Sequence, residues 1–201
     1  MNNIFFTSDT HFGHNRSFLL EPRGFKFTED MNEAIIERWN KIVKPDDIVY
    51  HLGDMFLNNN EIGVKCMKRL NGTIFMIWGN HDSDVRKNLV AAECHISGGW
   101  YSYLIKYGKI PIYISHYPTI TSNYDEKHFS QHVINLHGHT HQQTNFLYPN
   151  NPFMYHIGMD SHNCTPVHID EIITDIRQRW NDIENLPPSI KPNDTYPYIG
   201  V

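Results

Sequence analysis

The chain has 201 residues, of which 40% are hydrophobic and 19% are charged, and these values are ordinary for a soluble globular protein. That length suits one domain with a buried core, and no apolar run approaches the length of a membrane span. The net charge of −5 disfavours broad, nonspecific nucleic-acid binding, which needs a basic face.

The three cysteines indicate a reducing compartment. Cys66, Cys94 and Cys164 are odd in number and show no CxxC spacing, so we expect free thiols. The first residues run directly into an apolar segment, without the basic region and cleavage site of a signal peptide. We therefore predict a cytoplasmic protein that does not associate with a membrane.

The first half of the chain alternates predicted strands with predicted helices. Its elements, in order, are strand 4–8, loop 12–27, helix 29–43, strand 48–52, helix 61–70, strand 73–78 and helix 84–91. Thr28 is predicted to cap the first helix, and Pro45 follows its end. A loop as long as 12–27 is often functional in a compact domain.

The second half is predicted to be mostly strands. Its elements are strands 101–107 and 110–115, strand 133–136, strands 153–157 and 165–168, and helix 170–181. Gly108-Lys109 indicates a hairpin between the first two strands. We predict one mixed α/β domain over residues 1–185, with a mixed-sheet sandwich flanked by helices. Residues 186–201 hold four prolines and are predicted to form an extended tail.

Five short blocks rich in Asp, His or Asn punctuate the first 141 residues, most of them directly after predicted strands. They are Asp9-Thr10-His11, Gly53-Asp54, Gly79-Asn80-His81-Asp82, Ser115-His116 and Gly138-His139-Thr140-His141. Each block alone is also typical of a turn. Because strand ends in one sheet converge on one rim, the separate blocks can meet around metal ions. Their carboxylate, imidazole and amide donors suit Mn, Fe, Zn or Ni, and the mixture indicates two-metal hydrolysis of a phosphate ester.

In this order the five blocks resemble the motifs of the calcineurin-like metallophosphoesterases, over about residues 4–170. The segments Ser8–His14 and Gly158–His162 resemble a small phage and bacterial branch of that family. The resemblance implies a four-layer αββα sandwich of two mixed β-sheets flanked by helices. It also implies that the protein works in a bacterial cell or a phage-infected host cell.

The resemblance further implies a role for each motif residue. One metal ion would be held by Asp9, His11 and His141, the other by Asn80, His116 and His139, with Asp54 bridging both. The reaction implied is in-line attack by a metal-bridging hydroxide, with His81 as general acid. Asp82 is placed to orient or charge-stabilise His81. The cofactors are two divalent ions, with Mn favoured and Fe, Zn or Ni as alternatives.

Residues outside the motifs are candidates for contact with the substrate. His14 either lines the substrate pocket or makes hydrogen bonds within its loop. Arg16 and Arg23 either grip phosphate or are solvated loop charges. The walls of the site are predicted in the 12–27 loop and in residues 118–131.

Three aromatic side chains and one carboxylate have open alternatives. Phe12, Tyr117 and Tyr124 either stack on a base or pack partly buried. Asp160 is a candidate to support a ligand histidine from behind.

The leading hypothesis is a hydrolase of phosphate esters that prefers a phosphodiester or a nucleotide. The first alternative is a nuclease acting on DNA or RNA ends, although no stable nucleic-acid complex is expected from the low basic content. The second alternative is a non-enzymatic scaffold of the same fold. The sequence does not determine the oligomeric state.

Overall fold

A computed structural model describes residues 2–121 and 128–186. The helices in these ranges are α1 (Ser17–Leu20), α2 (Thr28–Ile42), α3 (Asn60–Met67), α4 (Asp84–Glu93) and α5 (Ile169–Glu184). The strands are β1 (Ile4–Thr7), β2 (Ile48–His51), β3 (Thr73–Ile77), β4 (Ile96–Trp100), β5 (Ser102–Tyr107), β6 (Ile110–Ser115), β7 (Ile134–His137), β8 (Phe146–Tyr148), β9 (Asn151–His156) and β10 (Val167–His168).

The strands form two mixed sheets of five strands each. Sheet 1 has the order β10-β1-β2-β3-β4, in which β1 to β4 are parallel and β10 is antiparallel to β1. Sheet 2 has the order β5-β6-β7-β9-β8, with a parallel centre and an antiparallel pair at each edge. These sheets and their helices confirm the predicted mixed α/β fold.

Alternating side chains of sheet 1 divide the interior into two cores. Phe5 and Val49 pack in a core with the apolar faces of α2, α3 and α4. Phe6 and Leu52 point to the opposite face and join a second core with sheet 2 and α5. This alternation is the two-residue period of a strand with both faces buried. The core shared by sheet 1 and sheet 2 holds the two sheets at fixed positions relative to each other.

Two predictions for the amino-terminal region are wrong in detail. The 12–27 loop contains a short helix, α1, because Leu19 and Leu20 are buried in the first core. Thr28 is not a helix cap but the first residue of α2, and its hydroxyl donates a hydrogen bond to the His14 carbonyl at 3.3 Å. The hydroxyl therefore ties the loop to α2.

Two strands were not predicted, and both depend on tertiary contacts. β4 contains Gly98 and Gly99 and has no apolar alternation, yet it pairs with β3 at the edge of sheet 1. A side chain at Gly99 would collide with the indole of Trp78, so the glycine is needed for this packing. β8 has only three residues and is held by pairing with β9.

The predicted division into a domain over 1–185 and a tail over 186–201 stays a prediction, because residues 187–201 lie outside the described part. Tyr124 also lies outside it. Among the helices of residues 2–121 and 128–186, none combines the length and the apolar character needed to cross a bilayer.

Candidate metal centre

The loops that follow five strands bring all seven predicted ligands together. In sheet 1, Asp9, Asp54 and Asn80 come shortly after β1, β2 and β3. In sheet 2, His116 directly follows β6, and the block with His139 and His141 follows β7. The carboxyl ends of parallel strands lie at one edge of a sheet, which is where ligands bind in α/β proteins.

The first predicted ligand group is a compact triad. His11 Nε2 lies 3.2 Å from His141 Nε2. Asp9 Oδ1 lies 3.7 Å from the first of these nitrogens and 3.8 Å from the second. The three ligand atoms are close enough to hold one metal ion.

The second predicted group converges on the Asn80 amide oxygen. Asn80 Oδ1 is 2.9 Å from His116 Nε2 and 2.9 Å from His139 Nδ1. Asp54 Oδ2 lies between the two groups, at 3.5 Å from His116 Nε2 and 3.8 Å from His11 Nε2. The Asp54 carboxylate thus faces one histidine of each predicted group, and its role as a shared ligand stays a prediction.

One carboxylate oxygen of this centre lacks a hydrogen-bond partner among the described residues. Asp9 Oδ1 is buried and accepts no hydrogen bond there. His116 Nδ1 is 2.7 Å from the Leu52 carbonyl, a geometry that places a proton on Nδ1 and leaves Nε2 free to bind a metal. Two imidazole nitrogens at 3.2 Å beside an unpartnered carboxylate oxygen suit a cation between them. The residues present therefore fit a divalent metal.

Backbone strain is concentrated at this centre. Eight described residues other than glycine have positive φ, and five of them are predicted ligands: Asp9, His11, Asp54, His139 and His141. Positive φ is unfavourable for residues with a Cβ atom. The surrounding fold holds these side chains in orientations that relaxed turns do not provide.

Glycines lie where the motif loops approach one another. At Gly138 an added Cβ would collide with Ser8 and Asp9, and at Gly53 it would lie 2.7 Å from His116 Nδ1. These positions join a loop of sheet 1 to a loop or ligand of sheet 2. The glycines that make these blocks typical of turns are thus also needed for the close approach of the loops.

Burial shifts the ionisation of the centre. Burial, helped by the charges of Asp9 and Asp82, raises the pKa of Asp54 to about 7. Burial also lowers the pKa of His11 to about 4. A buried Asp54 carboxylate beside a neutral His11 imidazole is suited to bind a cation, which compensates the carboxylate charge.

Asp160 supports His141 from behind, as the sequence suggested. Its Oδ2 is 3.0 Å from His141 Nδ1, which orients the other ring nitrogen toward the centre. Despite burial, the His141 hydrogen bond and the charge of Arg23 hold the pKa of Asp160 well below its usual range.

Arg23 does not fit either role predicted for it. Its side chain is fully buried and donates two hydrogen bonds to Asp160, at 3.0 and 2.9 Å. It also donates to the Asp9 carbonyl at 2.7 Å and to the Thr10 carbonyl at 3.3 Å. With its N–H groups used inside the protein, Arg23 positions the centre and is not available to a phosphate. Sequence spacing offers no sign of this pairing across 137 residues.

His81 lies at the exposed edge of the centre, with its ring 5.6 Å from the ring of His11. Its backbone N–H donates to Asp54 Oδ1 at 2.8 Å. Burial and the charge of Arg86 lower the pKa of His81, and the charge of Asp82 acts in the opposite direction.

Asp82 is mainly a backbone clamp. Its carboxylate accepts hydrogen bonds from the N–H groups of Gly79, Asp54 and Met55, at 2.8, 2.9 and 3.4 Å. These bonds lock two motif loops together. The carboxylate does not hold the His81 ring by a hydrogen bond in the described structure, so it acts on His81 through its charge.

The remaining substrate candidates differ in exposure. His14 is 5% exposed, and neither ring nitrogen has a hydrogen-bond partner among the described residues, which excludes the predicted bonds within its loop. Arg16 is exposed. Phe12 is fully buried in the first core and cannot stack on a base. Tyr117 is 51% exposed and packs edge-on against His116 and His139.

Comparison with known proteins gives one family and several relatives. A family model described as calcineurin-like phosphoesterase matches residues 3–196. An uncharacterized protein of Methanocaldococcus jannaschii is 42% identical over 84 residues, which is 41% of this chain and 48% of that protein. The match therefore spans about half the length of this archaeal relative.

A phage protein and a solved structure match over most of their length. The Gene 66 protein of Mycobacterium phage D29 is 27% identical over 213 residues, covering 92% of this chain and 98% of that protein. A protein of unknown function from Aquifex aeolicus shares the fold, with a TM-score of 0.66 and 24% identity over 87% of this chain and 99% of that one. Because the family model spans nearly all of the sequence, this chain belongs to the calcineurin-like phosphoesterase family.

Proposed function

We propose that this chain hydrolyses phosphate esters at a centre of two divalent cations, with a phosphodiester or a nucleotide as the preferred substrate. Family membership supports metal-dependent hydrolysis of phosphoesters. The observation that carries the proposal is the position of Asp54 Oδ2 between His11 Nε2 and His116 Nε2, at 3.8 and 3.5 Å. One carboxylate oxygen facing both ligand groups is what a pair of mutually repelling cations requires.

The proposed ligands divide into two sets with one shared member. Asp9, His11 and His141 would hold one ion, and Asn80, His116 and His139 the other, with Asp54 common to both. When bound, such a pair of cations polarises the phosphoryl group and lowers the pKa of the attacking water.

His81 is proposed as the general acid. Its backbone is fixed on both sides, by the bond to Asp54 and by Arg86 Nη1, which donates to the His81 carbonyl at 2.6 Å. The exposed ring can donate its proton to the leaving oxygen of an ester held at the centre. Asp82 stabilises the protonated ring through its charge and fixes the loop that carries it.

Mn is the proposed metal, with Fe, Zn or Ni as alternatives. The donors are imidazole nitrogens, carboxylate oxygens and one amide oxygen, and such a set accepts several first-row ions. A cytoplasmic location is proposed because Cys66, Cys94 and Cys164 are all buried free thiols.

The activity is tested with the purified protein, first by elemental analysis and then by assay with Mn²⁺. The substrates are an aryl monoester, an aryl diester, cyclic nucleotides and oligonucleotides. We expect hydrolysis of a diester that a chelator abolishes and Mn²⁺ restores. Inactivity on the whole panel by folded, metal-loaded protein would contradict the proposal.

The role of His81 is tested by His81→Ala. Turnover should fall about 100-fold or more while the metal content stays unchanged, because a proton donor is lost and no ligand is removed. The loss should be larger for an alkyl ester than for a p-nitrophenyl ester, whose leaving group needs little protonation.

The matched control for this variant is His95→Ala, which changes an exposed histidine after α4. It should retain both metal content and turnover. If His81→Ala instead loses its metal and regains activity when metal is added back, His81 is not the acid.

A further inference from the structure

The 12–27 loop forms one side of the candidate centre and is held rigidly. The His14 N–H donates to the His11 carbonyl at 3.1 Å, and the Gly13 N–H donates to Asn32 Oδ1 at 3.3 Å. The bond from Thr28 to the His14 carbonyl and the buried side chain of Arg23 fix the rest of the loop. Groups that this loop presents are therefore pre-organised for a ligand.

His14 is a polar group beside the centre that the proposed reaction does not use. It is 5% exposed, and both ring nitrogens are buried without a partner in residues 2–121 and 128–186. Its ring lies 5.5 Å from the ring of His11 on one side and 5.5 Å from the ring of Phe18 on the other. A neutral imidazole carries one N–H, and leaving that donor unpaired in a buried site costs free energy.

Phe18 and Arg16 extend this side of the centre outward. Phe18 is 68% exposed although the next two residues of α1, Leu19 and Leu20, are buried. Arg16 is exposed. Burial and nearby positive charges, among them that of Arg16, lower the pKa of His14. The short segment 14–18 thus carries a buried unpaired N–H, an exposed cation and an exposed aromatic ring.

We propose that His14, Arg16 and Phe18 form a binding site for the nucleoside part of a nucleotide phosphodiester. Phe18 stacks on the base, His14 donates a hydrogen bond to an oxygen of the sugar or its phosphate, and Arg16 attracts the anionic strand or nucleotide. This inference rests on the proposed hydrolysis of phosphate esters and names the substrate class for that centre.

The test compares two diesters with the same leaving group. One is the p-nitrophenyl ester of thymidine 5′-monophosphate, and the other is bis(p-nitrophenyl) phosphate, which has no nucleoside. The quantity measured is the ratio of their kcat/KM values with Mn²⁺-loaded protein. In Phe18→Ala this ratio should fall at least about fivefold, since a base is present only in the first ester. In Arg16→Ala the kcat/KM values of both esters should fall together, since both diesters carry one negative charge. Unchanged kcat/KM values in Arg16→Ala would remove Arg16 from the site.

Matched controls come from the same loop. Phe27→Ala removes an equally exposed phenyl ring, which is 64% exposed, and Lys26→Ala removes an exposed cation. Phe27→Ala and Lys26→Ala should both keep the wild-type kcat/KM values and their ratio. An unchanged ratio in Phe18→Ala, or an equal fall in Phe27→Ala, would overturn the proposal.

His14→Phe separates hydrogen bonding from packing, because it keeps an aromatic ring and removes the N–H. The kcat/KM value for the thymidine ester should fall at least about fivefold if His14 donates to the substrate. A retained kcat/KM value would show that His14 only packs.

A binding measurement keeps this inference separable from the proposed function. If the wild-type protein hydrolyses neither these esters nor any substrate of the panel above with any divalent cation, the proposed function fails. Calorimetry with thymidine 5′-monophosphate then decides the binding site. Weaker binding in Phe18→Ala than in Phe27→Ala supports it, and equal binding or no binding to wild type contradicts it.

Discussion

The rims of the two sheets contribute unlike halves of the candidate centre. Sheet 1 supplies both carboxylates, Asp9 and Asp54, together with His11 and Asn80. Sheet 2 supplies imidazoles alone, from His116, His139 and His141. The carboxylates of sheet 1 are almost fully buried, at 0% and 1% exposure, whereas the His141 side chain is 32% exposed. The carboxylates are thus buried on the rim of one sheet, and imidazole donors from the other sheet face them.

The difference shows that the centre exists only where the two sheets meet. Neither rim alone provides enough donors for two cations. The contact is close, because Gly138 of sheet 2 lies against Ser8 and Asp9 of sheet 1. Packing of the shared apolar core therefore determines the distances between the ligands.

Asp54→Asn should have the largest effect, because it removes the shared charge of the sheet 1 rim. An asparagine oxygen can still accept the His81 N–H, so the loop is retained. We expect turnover to fall by at least about 100-fold, with fewer than two metal ions bound per chain. Assay and elemental analysis check this, with exposed Asp46→Asn as the control. If Asp54→Asn kept the metal content and turnover of the wild-type protein, no bridging charge would be needed.

Asp160→Asn tests the support of the sheet 2 rim. The variant weakens the contact with His141 Nδ1 and leaves Arg23 without its carboxylate. We expect metal affinity to fall about 10- to 100-fold, as with other partners of ligand histidines. Calorimetric titration with Mn²⁺ measures this affinity. The control is Asp175→Asn, an exposed carboxylate bonded to Tyr155. Equal affinities in the two variants would contradict this role.

Gly138→Ala tests the contact between the rims. Its Cβ has no space beside Ser8 and Asp9, so we expect a loss of about 1–3 kcal/mol in the free energy of unfolding, together with weaker metal binding. Urea unfolding with a chelator separates stability from metal binding. Gly108→Ala, in the β5–β6 hairpin with open space around it, should leave metal binding unchanged. Normal metal affinity in Gly138→Ala would mean that the two rims can move apart without weakening metal binding.

Arg69→Ala should have the smallest effect, because it lies far from both rims. Arg69 pairs with Glu33, but the two side chains are 50% and 61% exposed. We expect a change of at most about 1 kcal/mol in the free energy of unfolding and no change in turnover. Thermal unfolding and the diester assay measure both. A large loss of turnover would show that charges outside the rims also matter.

The motif blocks and the convergence of their side chains were predictable. Asp9, Asp54 and Asn80 follow strands that are parallel neighbours, so their common edge follows from strand order alone. The positions of His116 and His139 were predicted in the same way, because each follows a strand of sheet 2. The helix α2 was predicted from the spacing of Met31, Ile35, Trp39 and Ile42, of which the first three are buried and Ile42 is partly buried.

The hydrogen-bond partners of two buried charged side chains were not predictable. Arg23 was expected in solvent or on a phosphate, and it is buried on Asp160 instead. Asp82 was expected to orient or charge-stabilise His81, and its carboxylate also accepts hydrogen bonds from three backbone N–H groups, which was not expected. Each of these partners depends on which loops the fold places side by side, and local spacing carries no such information.

By itself the sequence determined the donor types, their order and their attachment to strand ends, because these follow from residue identity and the periodicity of apolar side chains. The tertiary structure alone decided the distances, the strained backbone of five ligands and the buried pairing of Arg23 with Asp160. Metal affinity depends on tenths of an ångström. Such precision comes from two sheets packed on a common core, and not from any local segment.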